Sequence, residues 1–180
     1  MSREESCLLW VAIGLYFLAA VLLALFAART EGAETDDLWA AVCWKESRGN
    51  AQAVGDGGLA VGIAQIHPIC VADTNRICRL LGLADRFTLA DRLSPKRSRR
   101  IFDIYTSFYA LRWRLRSGRG EAPLSILARI WNGGPDGPED AAALAYWHRV
   151  RGHLAAIRKA KKPLTPVVPA HREGLVKRRP

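Results

Sequence analysis

The 180-residue sequence is poor in residues that bind metals, with four histidines and four cysteines. Cys7 lies in an apolar segment, and Cys43, Cys70 and Cys78 lack the close spacing that is typical of metal ligands. His67 is the one histidine near them in the sequence. We therefore predict no metal centre and no cofactor. The odd number of cysteines beyond Cys7 leaves two alternatives open: one disulfide with a free thiol, or three unpaired thiols.

Acidic residues are also scarce, because 17 Asp and Glu stand against 27 Lys and Arg, a net charge of +10. Such an excess is typical of proteins that bind polyanions. It is unevenly distributed: residues 158–180 hold +7 and residues 29–157 only +4. No nucleic-acid-binding signature accompanies the arginines, and Arg112, Arg114 and Arg116 cannot share one helical face. We predict no nucleic-acid partner, and interpret the arginines as a solvated surface or an attraction to an acidic polymer.

Charge is absent from the N-terminal segment between Ser6 and Ala28. An apolar helix of about 20 residues crosses the hydrocarbon core of a bilayer, and this segment is long enough. A cleaved signal peptide has a shorter apolar core and a basic start, whereas Glu4 and Glu5 occur here. We predict an uncleaved membrane anchor over residues 1–28, with the remaining chain facing the periplasm or the cell exterior. Secretion after signal cleavage is the alternative.

The rest of the chain predicts a mostly helical α+β domain over residues 36–160, with one small β hairpin. Residues 29–35 predict a polar linker, and Thr35 is placed to cap a helix that stops at Gly49. The glycine-rich, β-branched segment 53–65 predicts the hairpin. Further helices are expected over 70–81, 94–116, 124–131 and 138–159, the second of them capped by Ser94 with Pro95 in its first turn. The basic, proline-containing segment 161–180 predicts a disordered tail.

Glu46 is the strongest candidate for chemistry in the first predicted helix. It follows Val42 by four residues and Cys43 by three, so it continues the apolar face of that helix. A carboxylate on such a face is partly desolvated, which disfavours its charged form and raises its pKa, as a general acid requires. A lone helical Glu is more often solvated and paired with a neighbour such as Lys45 or Arg48. The interpretation therefore depends on the surrounding motifs.

Several linked motifs occur in a fixed order along the chain. They are Glu46-Ser47 at the end of the first helix, Gly62-Ile63-Ala64-Gln65 in the hairpin, Trp131-Asn132-Gly133, and Tyr146-Trp147 in the last helix. In this order and spacing, residues 38–154 resemble the lytic transglycosylase and goose-type lysozyme family, whose soluble domain has a lysozyme-like fold. That family has Gly-Leu-Met-Gln and Ala-Tyr-Asn at the two middle motifs. The departures at Ile63-Ala64 and Trp131 keep apolar bulk and an aromatic face.

The resemblance implies an enzyme that cleaves the β-1,4 bond between N-acetylmuramic acid and N-acetylglucosamine in peptidoglycan. Glu46 would be the single catalytic carboxylate and would give a 1,6-anhydro product. The residues that would bind or orient substrate are Ser47, the backbone at Ile63, Gln65, Trp131, Asn132 and Tyr146. The implied partners are glycan strands, together with the membrane through the N-terminal segment, and the chain is expected to be a monomer.

Two functional alternatives stay open. Hydrolysis, as in a goose-type lysozyme, would need a second carboxylate to hold a water across the sugar ring at about 6.5 to 9.5 Å from the acid. Asp56 is the nearby candidate, although it precedes Gly57 and this pair is common in turns, so we interpret it first as a turn residue. The second alternative is a non-catalytic glycan-binding domain of the same fold.

Most of the remaining aromatic residues are assigned to the hydrophobic core, because large aromatic side chains dominate small cores. This group includes Trp39, Trp113 and the pair Tyr105 and Tyr109. His67, which has no evident partner in the sequence, is assigned to a loop rather than to a ligand or a base.

Overall fold

A computed structural model describes residues 32–162 of the chain. Helices dominate it and one two-stranded antiparallel sheet accompanies them, so the predicted α+β class with a small hairpin is confirmed. The anchor or signal predicted over 1–28 and most of the tail predicted over 161–180 lie outside the described residues. Among the described helices, none combines the length and the apolar character that a bilayer crossing requires.

The described chain contains five α-helices and two short strands. Their bounds are 32–47 for α1, Val54–Gly55 for β1, Ala60–Val61 for β2, Pro68–Leu80 for α2, Pro95–Ser117 for α3, Leu124–Gly133 for α4 and Ala141–Lys161 for α5. Short 3-10 helices cover Asp56–Gly58, Leu89–Leu93 and Gly134–Glu139. From α2 to α5 the predicted helices are confirmed with small shifts of their ends. The cap of α3 is also confirmed, because the Ser94 side chain accepts a hydrogen bond from the Arg97 amide.

Helix α1 begins earlier than the sequence predicts. Residues 32–35, assigned to a linker, are helical, so the prediction that Thr35 caps the helix is wrong. Its hydroxyl instead donates to the carbonyl of Gly32 at 2.9 Å. The part of α1 around Thr35 also contacts the end of α5, where Arg158 pairs with both Glu34 and Asp37. These ion pairs join residues from opposite ends of the domain, and local sequence patterns do not show them.

The core consists of two clusters of buried side chains. One joins α2, α3, α4 and the segment after the hairpin, and the other joins α1, α4 and α5 around Leu38, Val42 and Val150. Trp131 of α4 packs against both clusters. Burial of each large apolar side chain contributes about 1.5–3 kcal/mol. The middle of α1 belongs to the second cluster, Ala64 and Ile66 after the hairpin belong to the first, and Trp39 of α1 packs against both.

A buried arginine holds the hairpin against the 3-10 helix Leu89–Leu93. Nη1 of Arg92 donates to the carbonyls of Leu59 and Ile66, at 3.0 and 3.1 Å, and Nε donates to the Leu89 carbonyl at 2.9 Å. Hydrogen bonds from a charged donor are stronger than those between neutral groups. The segment 59–66, which forms one wall of the site described below, is therefore fixed at both ends.

Close packing requires glycine directly after β2. The strands pair with Val54 opposite Val61, which confirms the predicted hairpin. Gly62 has a φ of +85°, and a Cβ at this position would lie 1.8 Å from the carbonyl oxygen of Arg92. Both the backbone conformation and the contact with Arg92 exclude a larger residue.

We predict that Gly62→Ala destabilises the protein by about 3 kcal/mol or more, because a left-handed backbone and a backbone clash both disfavour the methyl group. Gly57→Ala is the matched control, since Gly57 has a φ of +62° but nothing lies within 4 Å of a Cβ there. The free energy of unfolding of the Gly57→Ala control should fall by only about 1–2 kcal/mol. Urea unfolding of both variants measures the difference, and equal losses would contradict the packing argument.

Candidate active site

An open cleft of about 610 Å³ lies between the hairpin, the start of α2 and the end of α4. Five of the residues predicted for the site line it: Glu46, Asp56, Gln65, Trp131 and Asn132. They come from α1, the hairpin region and α4, which are far apart in the sequence. Ser47, Ile63 and Tyr146 do not line the cleft, but they contact or lie close to residues that do.

Glu46 lies at the end of α1 and is half-buried in the cleft. Burial, which is the largest effect, raises the pKa of its carboxyl above the ordinary value of 4.5. The negative charge of Asp56 acts in the same direction, whereas Tyr146, Lys45 and Arg149 oppose it without cancelling the rise. A carboxyl group in this environment holds its proton to higher pH than a solvated one.

Tyr146 of α5 lies behind Glu46, and 2% of its surface is exposed. Its buried hydroxyl makes no hydrogen bond of standard geometry with the described residues, yet it lies close enough to the Glu46 carboxyl to lower the pKa of that group. Burial and the charge of Glu46 raise the pKa of Tyr146 in turn. A buried hydroxyl without a full partner costs about 1–3 kcal/mol.

Ser47 ties the end of α1 to the hairpin. Its hydroxyl donates to the Ile63 carbonyl at 2.7 Å. The family resemblance implies that the Ser47 hydroxyl and the Ile63 backbone bind substrate, whereas in this structure they are hydrogen-bonded to each other. This hydrogen bond therefore fixes the distance between Glu46 and the hairpin wall of the cleft. The Ser47 oxygen can still accept a hydrogen bond from a ligand.

Gln65 is held rigidly in the hairpin wall. Its φ is +50°, and its amide nitrogen donates to the carbonyls of Gly62 and Ala53 at 2.9 and 3.3 Å. Its Oε1 lies over Gly55, where a Cβ would come within 2.5 Å of it. The amide nitrogen is therefore occupied, and the carbonyl oxygen is the group that Gln65 retains for a ligand.

The end of α4 supplies an aromatic wall and a polar group. The ring centroid of Trp131 lies 5.0 Å from that of Phe102 and 6.2 Å from that of Tyr105. Tyr105 was assigned to the core, and it is buried there, but it also borders the cleft. Asn132 is exposed and its side chain makes no hydrogen bond within the described part of the chain, so both ends of its amide are available to a ligand.

Asp56 and His67 face each other across the hairpin side of the cleft. The distance between Asp56 Oδ2 and His67 Nε2 is 3.0 Å, and both residues line the cleft. Asp56 is a turn residue as predicted, with a φ of +47°, and it is a cleft residue as well. The interpretation of His67 as a residue without a partner is wrong. The bridge between Val61 and Ile66 folds the chain back along β2, which pairs with β1, and so brings His67 to Asp56. The glycine-rich sequence predicts the hairpin but does not show this third segment.

The three described cysteines are free thiols, which agrees with one of the two alternatives left open. Cys70 and Cys78 share helix α2, where eight residues of rise separate them by about 12 Å, beyond disulfide reach. Burial raises the pKa of Cys43 and of Cys70 to about 12, so neither is an activated nucleophile. No group of three or more His, Cys, Asp or Glu within residues 32–162 is arranged to hold a metal ion.

Comparison of the chain with protein-family models, with curated proteins and with solved structures finds no match. The cleft contains a carboxyl group whose pKa is raised by burial, with amide and aromatic groups around it. Such a site can give a proton to a polar ligand and take one back.

We predict that Glu46→Gln makes the protein more stable than the wild type at pH 8 but not at pH 4. A raised pKa means that the folded state favours the protonated carboxyl, so this contribution is complete below pH 4.5 and is lost as the pH rises through the folded-state pKa. Glutamine carries no charge and avoids that loss. Thermal unfolding from pH 4 to 8 measures the stability difference between Glu46→Gln and the wild type, and Glu121→Gln at an exposed position is the control. A pH-independent difference would refute the assignment of burial as the cause.

Proposed function

We propose that this chain is a lytic transglycosylase that cleaves the N-acetylmuramic acid–N-acetylglucosamine β-1,4 bond of peptidoglycan. The observation that carries the proposal is the half-buried carboxyl of Glu46, whose pKa is raised by burial in the wall of an open cleft. The meeting of Glu46 with Gln65, Trp131 and Asn132 in that cleft supports it, because these residues belong to the motifs that resemble the family. The fold we infer is lysozyme-like, with the acid at a helix end opposite a small hairpin.

The proposed reaction uses one carboxyl group twice. Glu46 gives its proton to the glycosidic oxygen, and the bond to the muramyl anomeric carbon breaks through an oxocarbenium-like transition state. The resulting Glu46 carboxylate takes the proton of the muramyl 6-hydroxyl, whose oxygen bonds to the anomeric carbon. The products are a strand that ends in 1,6-anhydro-N-acetylmuramic acid and a strand with a free N-acetylglucosamine 4-hydroxyl. Glu46 regains its proton, so no water and no cofactor are consumed.

Substrate contacts follow from the groups that the fold leaves available. The amide of Asn132 and the carbonyl oxygen of Gln65 suit acetamido and hydroxyl groups of the glycan. The aromatic side chains of Trp131 and Tyr105 suit the apolar face of a sugar ring. We propose that the body acts as a monomer on glycan strands outside the cytoplasm, held at the membrane by residues 1–28 or secreted after their cleavage.

Hydrolysis by a goose-type lysozyme mechanism is the second candidate function. One observation favours it: Asp56 lines the same cleft as Glu46, and its charge acts on the Glu46 carboxyl. His67 holds the Asp56 carboxylate by a hydrogen bond or an ion pair at 3.0 Å. A carboxylate oriented in this way could activate a water across the sugar ring.

We predict that Glu46→Gln lowers the release of soluble muropeptides from purified peptidoglycan by about a hundredfold or more, because the amide keeps the shape but cannot donate the required proton. Glu121→Gln should retain wild-type turnover, since Glu121 is exposed and does not line the cleft. Mass spectrometry of the digest reports both variants. Turnover retained by Glu46→Gln would defeat the catalytic assignment, and a wild type that binds glycan without releasing products would favour the binding-domain alternative.

We further predict that Asp56→Asn keeps turnover within a few-fold of the wild type and that digestion in H₂¹⁸O leaves the product unlabelled. The anhydro ring closes without water, so neither Asp56 nor solvent oxygen is needed. Product labelled with one ¹⁸O, together with loss of turnover in Asp56→Asn, would instead establish the hydrolytic mechanism. Asp136→Asn is the matched control, because Asp136 is exposed and lies outside the cleft.

A further inference from the structure

A second groove of about 600 Å³ extends from the cleft between α2 and α3. The two spaces adjoin each other, because Ile69, Cys70 and Tyr105 border both. Ile69 stands where the two adjoin, with 77% of its surface exposed. A branched ligand in the cleft could therefore place its branch in the groove, past Ile69.

The α2 wall of the groove is an apolar face that becomes basic along its length. Ile69, Ala72, Asp73, Arg76 and Arg79 line it, and their spacing of three or four residues places them on one side of the helix. The apolar members lie nearest the cleft, and the two arginines lie toward the C-terminal end of α2. A ligand bound along this face would contact the apolar side chains near the cleft and the two arginines farther from it.

The single carboxylate of the groove is already satisfied. Oδ1 of Asp73 accepts from Nε of Arg76 at 2.7 Å, and Oδ2 accepts from the Tyr109 hydroxyl at 2.6 Å. Nη2 of Arg76 also donates to the Tyr109 oxygen at 3.1 Å. These bonds hold the Arg76 guanidinium in place and leave its other N–H groups without a partner among the described residues.

Arg79 carries the uncompensated charge of the groove. It is exposed, and within residues 32–162 it makes no ion pair and no hydrogen bond through its side chain. The groove therefore holds two guanidinium groups against one neutralised carboxylate, a net positive charge beside an apolar floor. Such a combination is complementary to a short chain that carries methyl groups and carboxylates.

We propose that this groove binds the peptide stem of peptidoglycan, the acidic peptide that branches from the muramyl lactyl group. The proposal rests on the proposed function, because it takes the muramyl residue to lie in the cleft. The lactyl and alanyl methyl groups of the stem contact Ile69 and Ala72, and the stem carboxylates bind Arg76 and Arg79. The groove thus distinguishes stem-bearing glycan from bare amino-sugar polymers.

The test measures binding rather than cleavage, with Glu46→Gln as the parent chain so that no ligand is consumed. The full chain in detergent is titrated calorimetrically with two probes. One is a tetrasaccharide muropeptide with intact stems, and the other is the same compound with its stem carboxylates converted to methylamides. The variant is Arg79→Glu. The control is Arg151→Glu, which makes the same charge change at an exposed position on α5.

We expect Arg79→Glu to weaken binding of the intact muropeptide about fivefold and to leave binding of the amidated one unchanged. Arg151→Glu should change neither, and thermal unfolding should show both variants folded. Three results would each overturn the proposal. They are equal loss of affinity in Arg79→Glu and Arg151→Glu, equal loss of affinity for the intact and the amidated muropeptide, and no binding of the intact muropeptide by the parent. Muropeptide release by the wild type is measured separately, so failure of catalysis is distinguished from failure of stem binding.

Discussion

The buried guanidinium of Arg92 is the interaction on which the cleft depends. Within the described chain it has no carboxylate partner, and its hydrogen bonds go to backbone carbonyls of the hairpin region and of its own 3-10 helix. An arginine cannot shed its charge, so burial is tolerable only while these acceptors stay in place. The segment 59–66 therefore cannot move away without leaving a buried charge unsolvated. Because Gln65 and the Ile63 carbonyl belong to this segment, the position of the wall opposite Glu46 follows from the Arg92 contacts.

Backbone strain is concentrated around the same cleft. Arg48, Asp56 and Gln65 have positive φ angles, between 47° and 54°, although none is glycine. Such conformations cost about 1–3 kcal/mol each and persist where surrounding contacts determine them. For Gln65 those contacts are the two hydrogen bonds of its amide, and for Asp56 the interaction with His67. Two of these three residues, Asp56 and Gln65, line the cleft, and Arg48 follows Glu46 by two residues.

Sequence patterns predicted the elements well and the contacts between them less well. The periodicity of α2 to α5 and the glycine-rich hairpin are local properties, and these predictions are confirmed. Thr35 lies inside α1 and not at its cap, and ion pairs with the distant end of α5 involve the same part of that helix. His67 and Tyr105 were missed as cleft residues. A histidine beside a proline and a tyrosine on a helix face are ambiguous in sequence. Only packing between segments that are distant in the chain brings them into the same cleft as Glu46.

Glu46 is partly buried and partly open to the cleft, and this combination suits the proposed chemistry. Burial raises the pKa of the carboxyl, although Glu46 is only half-buried and one side of it faces the open cleft. A glycan strand that fills the cleft would displace water and desolvate the carboxyl further, which favours the protonated acid at the moment when it is needed. The same displacement keeps water away from the anomeric carbon, where it would compete with the muramyl 6-hydroxyl. In this scheme the substrate itself closes the site, and a stem held in the side groove would strengthen that closure by fixing the muramyl residue above Glu46.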